Sequence, residues 1–354
     1  MKKLALIGCG GIGNYHLGHF VNFKDIVELA GFCDLIPEKA QSFVEKAGCG
    51  KAFTDYKAML DEIQPDLVFV CIPPTCHGEI EFELIARGIP FFVEKPVAKT
   101  LELAKSIRDA AKAKNLITAT GFQCRYSDIN DPAISFVKNH PIVFIDCARI
   151  GGVPMVWWWR KRSTSLGQIV EQTIHQFDLI RYIFGEPETV FTFGTKGFVT
   201  EVEGYDTEDA STTAVKFKNG VIGNISTGCY AKSGAAFDGK ITFSARDSRA
   251  ELYLASKLNI YGVKEDEEAA QETAVIKGDG NLARSAKEGR IEYANTVDYG
   301  TICDRTFIEA VLSGDPADAA KIRSPYEDAV KSLAFTLACN QSMDTGLPVN
   351  VDFS

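Results

Sequence analysis

Leu4-Ala5-Leu6-Ile7-Gly8-Cys9-Gly10-Gly11-Ile12-Gly13 reads as a short apolar strand that runs straight into a glycine-rich turn. Helical patterning follows from Asn14 to about Asn22. The glycines at 8, 10 and 13 make a GxGxxG pattern, and each has its own physical task. Gly8 permits the tight turn, Gly10 lets backbone approach a pyrophosphate, and Gly13 lets the helix pack closely on the strand. The helix N-terminus then faces the phosphates. A GxGxxG alone is weak evidence, but here a strand precedes it and a helix follows. The next apolar run, Ile26 to Cys33, ends at Asp34, about twenty residues past the last glycine, as a dinucleotide fingerprint requires. A carboxylate there accepts hydrogen bonds from both ribose hydroxyls and repels a 2′-phosphate. No arginine follows to neutralise one, so the expected cofactor is NAD rather than NADP.

Working outward, strand and helix patterns alternate. Tyr56 to Ile63 reads as helix, Leu67 to Ile72 as a buried strand closed by Pro73-Pro74, and Glu79 to Arg87 as helix. Ile89 to Val93 reads as a strand buried on both faces, ending in Glu94-Lys95-Pro96. Thr100 caps a helix to about Lys114, and Ile117 to Thr120 is a further strand. Such alternation predicts a parallel, doubly wound sheet. The strand ends at Cys9, Asp34, Pro73 and Lys95 would line one edge, where open α/β sheets bind ligands. His77 either reaches that edge or caps a helix start facing solvent. Candidate dinucleotide contacts are therefore Gly8, Gly10, Gly11, Ile12, Gly13, Asp34, Pro73, His77, Glu94 and Lys95.

Past Gln123 the pattern changes to α+β. Strands are expected at Ile142 to Ile150, Thr189 to Phe193, Ser211 to Phe217 and Val221 to Thr227, the last two flanking the hairpin signal Lys218-Asn219-Gly220. Ile241 to Ala245 and Ala250 to Leu254 form another hairpin candidate, and residues from about 263 to 296 read as loop with short elements. One helix spans Gly167 to Phe184, with Gly185 as its stop. Ser324-Pro325-Tyr326-Glu327 reads as a capping box opening a helix to about Met343, with Gly346 as its stop. The fold expectation is an α/β Rossmann N-terminal domain, residues 1–122, followed by an α+β C-terminal domain, residues 123–354, with a large, mostly antiparallel open sheet. The C-terminal helix is a candidate for packing back on the first domain. With helices on one face only, the open face of the sheet is expected to be apolar and to form a dimer or tetramer interface.

Within the long helix, Glu171, His175 and Asp178 are spaced by four and three, which places them on one helical face. That pattern suits either an exposed salt-linked stripe or a general base flanked by carboxylates.

The chain has 354 residues, enough for two domains with sizeable cores. Its net charge of −9 and pI near 5.2 give no electrostatic footprint for nucleic acid or for an anionic membrane surface. No apolar run approaches a membrane span. Met1-Lys2-Lys3 before the first apolar run mimics a short lipoprotein-type signal, but glycines interrupt it too soon, and it reads as a strand. The ten cysteines are scattered, with no CxxC or zinc-like spacing, which predicts reduced thiols in a cytoplasmic protein.

Taken together, these residues resemble the Gfo/Idh/MocA family of pyridine-nucleotide-dependent oxidoreductases along essentially the whole chain. The resemblance rests on GxGxxG with His16 after it, on Glu94-Lys95-Pro96, and on Glu171, His175 and Asp178 after Gly167. The Tyr326-Glu327-Asp328 helix and Gly346-Leu347-Pro348-Val349 fit as well. It implies hydride transfer between NAD and a secondary hydroxyl of a sugar, inositol or related polyol. His175 would take the hydroxyl proton, Lys95 would hydrogen-bond the same oxygen, and Asp178 and Glu171 would orient the imidazole or the sugar hydroxyls. An ionisation near neutrality is then expected from His175. Where inositol dehydrogenase-like members often carry Asp four residues before the histidine, this chain has Glu171. Arg125, Tyr126, Trp157, Trp158, Trp159 and Arg160 are candidate substrate-wall residues, with core or interface packing the alternative for at least one tryptophan. Lys161 and Arg162 leave room for an acidic or phosphorylated substrate. Two other readings compete: a non-catalytic NAD-binding regulator, and an NAD-dependent glycosidase acting by transient oxidation.

Overall fold

Six parallel strands form the first sheet: β1 (Lys2–Ile7), β2 (Val27–Cys33), β3 (Lys51–Phe53), β4 (Leu67–Val70), β5 (Phe91–Val93) and β6 (Thr118–Thr120). Their order is β3-β2-β1-β4-β5-β6, so the chain leaves β1 in one direction and returns beside it in the other. That reversal opens a crevice at the carboxyl ends of β1 and β4, the ligand-binding position of doubly wound sheets. The computed structural model describes residues 1–263 and 290–354 of the chain.

The strands are apolar on both faces because helices cover both. On one side α1 (Gly11–Phe20) and α2 (Pro37–Ala47) bury Phe20 and Phe43 against Leu4, Leu6, Phe32 and Phe69. On the other, α3 (Tyr56–Ile63), α4 (Glu79–Arg87) and α5 (Leu101–Ala113) bury Met59, Leu60, Leu84 and Ile107 against Val68, Val70 and Val93. Thr100 caps α5 through its side chain, which accepts from the Leu103 amide. The sequence reading passed over α2 and β3.

The later chain completes both layers. The helix Tyr299–Ser313 adds Cys303, Phe307 and Ile308 to the first face, and the C-terminal helix Tyr326–Thr345 adds Tyr326, Val330 and Leu333 to the second. Gly346 ends that last helix at φ 66°. The expected capping box does not form. Pro325 occupies the N-cap, while Ser324 bonds Thr120 through both its carbonyl and its hydroxyl, extending β6 instead.

The second sheet has nine strands, β7 (Phe144–Gly152), β8 (Pro187–Thr195), β9 (Ala210–Phe217), β10 (Ile222–Ala231), β11 (Asp238–Ser244), β12 (Arg249–Tyr253), β13 (Lys257–Tyr261), β14 (Arg290–Ala294) and β15 (Val349–Asn350). Their order is β14-β13-β12-β11-β7-β10-β9-β8-β15. All pairs are antiparallel except β7 with β10. Most of the 263–296 stretch expected as loop lies outside the described residues, and its described end is β14.

Alternation puts Ile145, Cys147, Val215, Phe217, Ile225 and Ile241 in the core with Phe177, Ile180 and Phe335 of the covering helices. The opposite face is not the apolar surface expected from the sequence. Its centre is a ladder of small polar side chains: Thr212 Oγ1 donates to Asn224 Oδ1 at 2.7 Å, and Asn224 Nδ2 donates to Asp146 at 3.4 Å. These groups satisfy one another across the strands. Exposed apolar residues flank it instead, Phe144 beside Ile222, Phe193 opposite Thr212, and Tyr230.

Candidate active site

The first half of the site is the glycine turn. A Cβ on Gly8 would meet the Cys71 carbonyl oxygen at 2.1 Å, and one on Gly13 would meet the Gly8 carbonyl oxygen at 2.2 Å. Only glycine allows strand, turn and helix to approach so closely. Gly10 and Gly11 instead face open space, with nothing within 4 Å of an added Cβ. Helix α1 starts here with no side-chain cap, so its first amides remain free to bind an anion. Asp34 stands at the end of β2, where Oδ2 accepts from the Cys9 amide at 2.9 Å and Oδ1 from Ile36 at 2.9 Å. This anchored carboxylate beside an open cradle fits a dinucleotide, whose phosphates Gly10, Gly11 and Ile12 would hold and whose ribose Asp34 would meet.

The second half is Lys95. It leaves the end of β5 and crosses to the other sheet's helices, where Nζ donates to the Glu171 carbonyl at 2.8 Å and to Glu171 Oε1 at 3.1 Å. A local break in the expected helix makes this possible. The chain forms α8 (Gln168–Glu171) and α9 (Ile174–Ile183), with the Thr173 amide bonding the Gln168 carbonyl five residues back. Such an extra residue is a π-type bulge, which re-aims the groups around it. Nearby, the Glu208 carboxylate receives the Ile169 amide at 3.3 Å.

The break also undoes the single face predicted for Glu171, His175 and Asp178. Glu171 turns to Lys95. Asp178 turns the other way, into a buried pair in which Arg125 donates from Nε at 2.8 Å and from Nη2 at 2.6 Å. Ser332 adds a hydrogen bond to the same carboxylate at 2.5 Å. Asp178 therefore does not orient His175. Arg125 is also no wall residue: it is 2% exposed and further held by Asp328 at 2.6 Å and by the Arg323 carbonyl. Tyr126 is buried as well, its hydroxyl accepting from the Arg323 amide at 2.9 Å.

His175 is half-buried, stands edge-on to Phe122, and keeps Nδ1 buried without a partner among the described residues. Burial, then the positive charges of Lys95 and Arg149, push its pKa down to about 3. The resident form is a neutral imidazole, which differs from the ionisation near neutrality expected from the sequence. Glu171 shifts the other way: burial raises its carboxyl, Lys95 opposes that, and Oε2 is buried without a partner among the described residues.

Glu94 does not stand beside the cradle as a free carboxylate. Its Oε1 lies 3.0 Å from His16 Nε2, while His16 Nδ1 lies 2.8 Å from Asp304. His19 Nδ1 reaches the same Asp304 at 2.6 Å. Burial alone would lower the His16 pKa, but Asp304 and Glu94 together raise it to about 10. His16, His19 and Asp304 are thus closed on one another by hydrogen bonds. His77 is buried, against the solvent-facing alternative, with Nδ1 2.6 Å from Glu81. Pro73 lies at the start of the short turn before it.

Of the tryptophans, Trp159 is buried, Trp158 half-buried and Trp157 exposed. Arg160 is half-buried and donates to the Met155 carbonyl at 3.1 Å. Sequence reasoning missed Arg149 and Glu208. Arg149 had a legible signal: it continues the inward alternation Ile145, Cys147 on a strand.

Residues 2–122 match the family description "Oxidoreductase family, NAD-binding Rossmann fold", and residues 139–351 match "Oxidoreductase family, C-terminal alpha/beta domain". The chain belongs to the Gfo/Idh/MocA oxidoreductase family. Among curated Gfo/Idh/MocA relatives, myo-inositol 2-dehydrogenase of Thermotoga maritima is 25% identical over 99% of this chain and 98% of its own. The scyllo-inositol 2-dehydrogenase (NAD(+)) of Bacillus subtilis is 26% identical over 63% of this chain and 66% of its own. Levoglucosan dehydrogenase, solved with NADH and levoglucosan, shares the Gfo/Idh/MocA fold at a TM-score of 0.81, 18% identity and 99% coverage of both chains.

Proposed function

We propose that the protein is an NAD-dependent oxidoreductase that moves a hydride between a secondary hydroxyl of a sugar, inositol or related polyol and the nicotinamide. The observation that carries this is the meeting of Lys95, from the nucleotide-binding sheet, with Glu171 beside the helix bearing His175. The turn at Gly8–Gly13 with Asp34 would hold NAD, which supplies the hydride acceptor when bound. His175, neutral in this site, takes the hydroxyl proton. Lys95 hydrogen-bonds the same oxygen and stabilises its developing negative charge, and Glu171 fixes where the ammonium points. Trp158 and Arg160 form part of the substrate wall.

The direct experiment is NADH absorbance across a panel of sugars and polyols. Steady NADH accumulation supports the dehydrogenase. Product release without NADH points to the glycosidase chemistry, and NAD binding without turnover to a regulator. We further propose a cytoplasmic homodimer or homotetramer joined through the open sheet face, which presents Phe144, Ile222, Phe193 and Tyr230 around its polar ladder. A monomer mass by light scattering would contradict that assembly.

A further inference from the structure

Arg149 sits on β7 in line with Ile145 and Cys147, on the face of the sheet that the helices cover. Its neighbour across the ladder is Thr227, whose hydroxyl receives Gln168 of α8 at 2.8 Å. The arginine therefore lies one strand from the short helix that ends in Glu171. The guanidinium folds over Gly151, where an added Cβ would stand 2.3 Å from Nη1.

The arginine is half-buried, and among the described residues no carboxylate comes within 4.0 Å of it. Among the described residues its one side-chain hydrogen bond goes to Cys229 Sγ at 3.6 Å. Burial pushes that thiol up to about 11, so it carries no charge to offset the arginine. The nearby acid Glu208 is buried and its carboxyl is also raised, chiefly by burial; among the described residues it pairs with Arg162, at 4.0 Å. Glu171 is taken by Lys95. The buried cation Arg125, by contrast, holds two carboxylates at 2.6 Å. A half-buried guanidinium left with only a neutral partner, beside a reaction site, is poised for an anion from outside.

We infer that Arg149 receives an anionic substituent of the substrate, a carboxylate or a phosphate ester on the sugar whose hydroxyl is oxidised at Lys95 and His175. This rests on the dehydrogenase reading given above. An acid bound there would also screen the positive charge that Arg149 exerts on His175, and so strengthen the imidazole as a base.

The test is calorimetric binding to the full-length, NADH-loaded protein of D-glucuronate, D-galacturonate and D-glucose 6-phosphate, each beside its neutral parent sugar. At least one acid should bind about tenfold or more tightly than its parent, as a charge-assisted contact allows. A uronate preference identifies a carboxylate, and a glucose 6-phosphate preference a phosphate. Arg149→Gln should abolish the preference and Arg149→Lys should keep part of it, since a point charge replaces the fork. Gly151→Ala should also weaken it, by displacing the guanidinium without removing its charge. Acids that bind no better than neutral sugars, or a preference that survives Arg149→Gln, would overturn the inference. NADH production in the same panel separates the two claims. Turnover of neutral sugars without acid preference leaves the dehydrogenase standing and the Arg149 site refuted. An Arg149-dependent preference without turnover does the reverse.

Discussion

Lys95 Nζ lies 2.8 Å from the carbonyl oxygen of Glu171 and 3.1 Å from its Oε1, so one acidic residue of the second sheet's helices holds the lysine of the first sheet twice. The carbonyl contact depends on the helix break, the carboxylate contact on the side chain alone. Glu171→Ala removes only the latter and lets the ammonium wander. Turnover should fall by about 10²-fold, the scale of a 1 Å misplacement, with NAD affinity little changed. Wild-type kcat in this variant would show that the carbonyl suffices.

Asp178 belongs to the scaffold. Its pairing with the almost fully buried Arg125 predicts that Asp178→Ala leaves a buried charge short of a partner, with Asp328 compensating only in part. Denaturant unfolding should show a loss of about 3 kcal/mol. Turnover per folded molecule should hold near wild type. A fully stable variant with collapsed kcat would return Asp178 to the catalytic group.

Much of this was legible in the sequence and some was not, for physical reasons. The glycine turn, Asp34 and Lys95 were readable because strand, turn and helix each leave a local signature. Tyr56–Ile63 and Glu79–Arg87 fall where their periodicity places them. The partners of Asp178 and Ser324 were not readable, because Arg125 and Thr120 come from distant stretches of chain. Spacing put Glu171, His175 and Asp178 on one face by assuming a regular helix. One extra residue at Thr173 turns Glu171 toward one sheet and leaves Asp178 facing Arg125. The polar ladder on the open sheet face was in the sequence, as Thr212, Asn224, Ser226 and Asp146. Hydroxyl-rich strands satisfy themselves pairwise.

His16 carries a pH signature. Its pKa rises from the ordinary 6.5 to about 10 in the folded chain, so its stabilisation is fully present below about 6.5. It is lost as pH climbs through about 10. Wild-type unfolding free energy should therefore decline between these limits, and His16→Gln should flatten that decline while lowering stability at pH 6. An unchanged slope would mean that His16 is neutral in the folded state.

Asp34 is the proposed determinant of the cofactor. Its carboxylate is anchored by the Cys9 and Ile36 amides and cannot swing away from a 2′-phosphate without breaking both bonds. NAD should bind more tightly than NADP, and Asp34→Ala should narrow the gap. Measured dissociation constants decide it, and tighter NADP binding in the wild type would refute the assignment.

The central claim is that Lys95 and His175 act together on one substrate oxygen, and kcat of His175→Ala on the best substrate tests it most directly. With the wild-type imidazole held near a pKa of 3, it is unprotonated from acidic pH upward. Wild-type kcat/KM should therefore show no histidine ionisation near neutrality and should fall only as the pH drops toward 3. Removing the ring should lower kcat by about 10²–10⁴-fold at pH 7, as loss of a positioned base does, while the NAD dissociation constant stays within about twofold. Turnover near the wild-type rate in His175→Ala would place the base elsewhere and contradict the account.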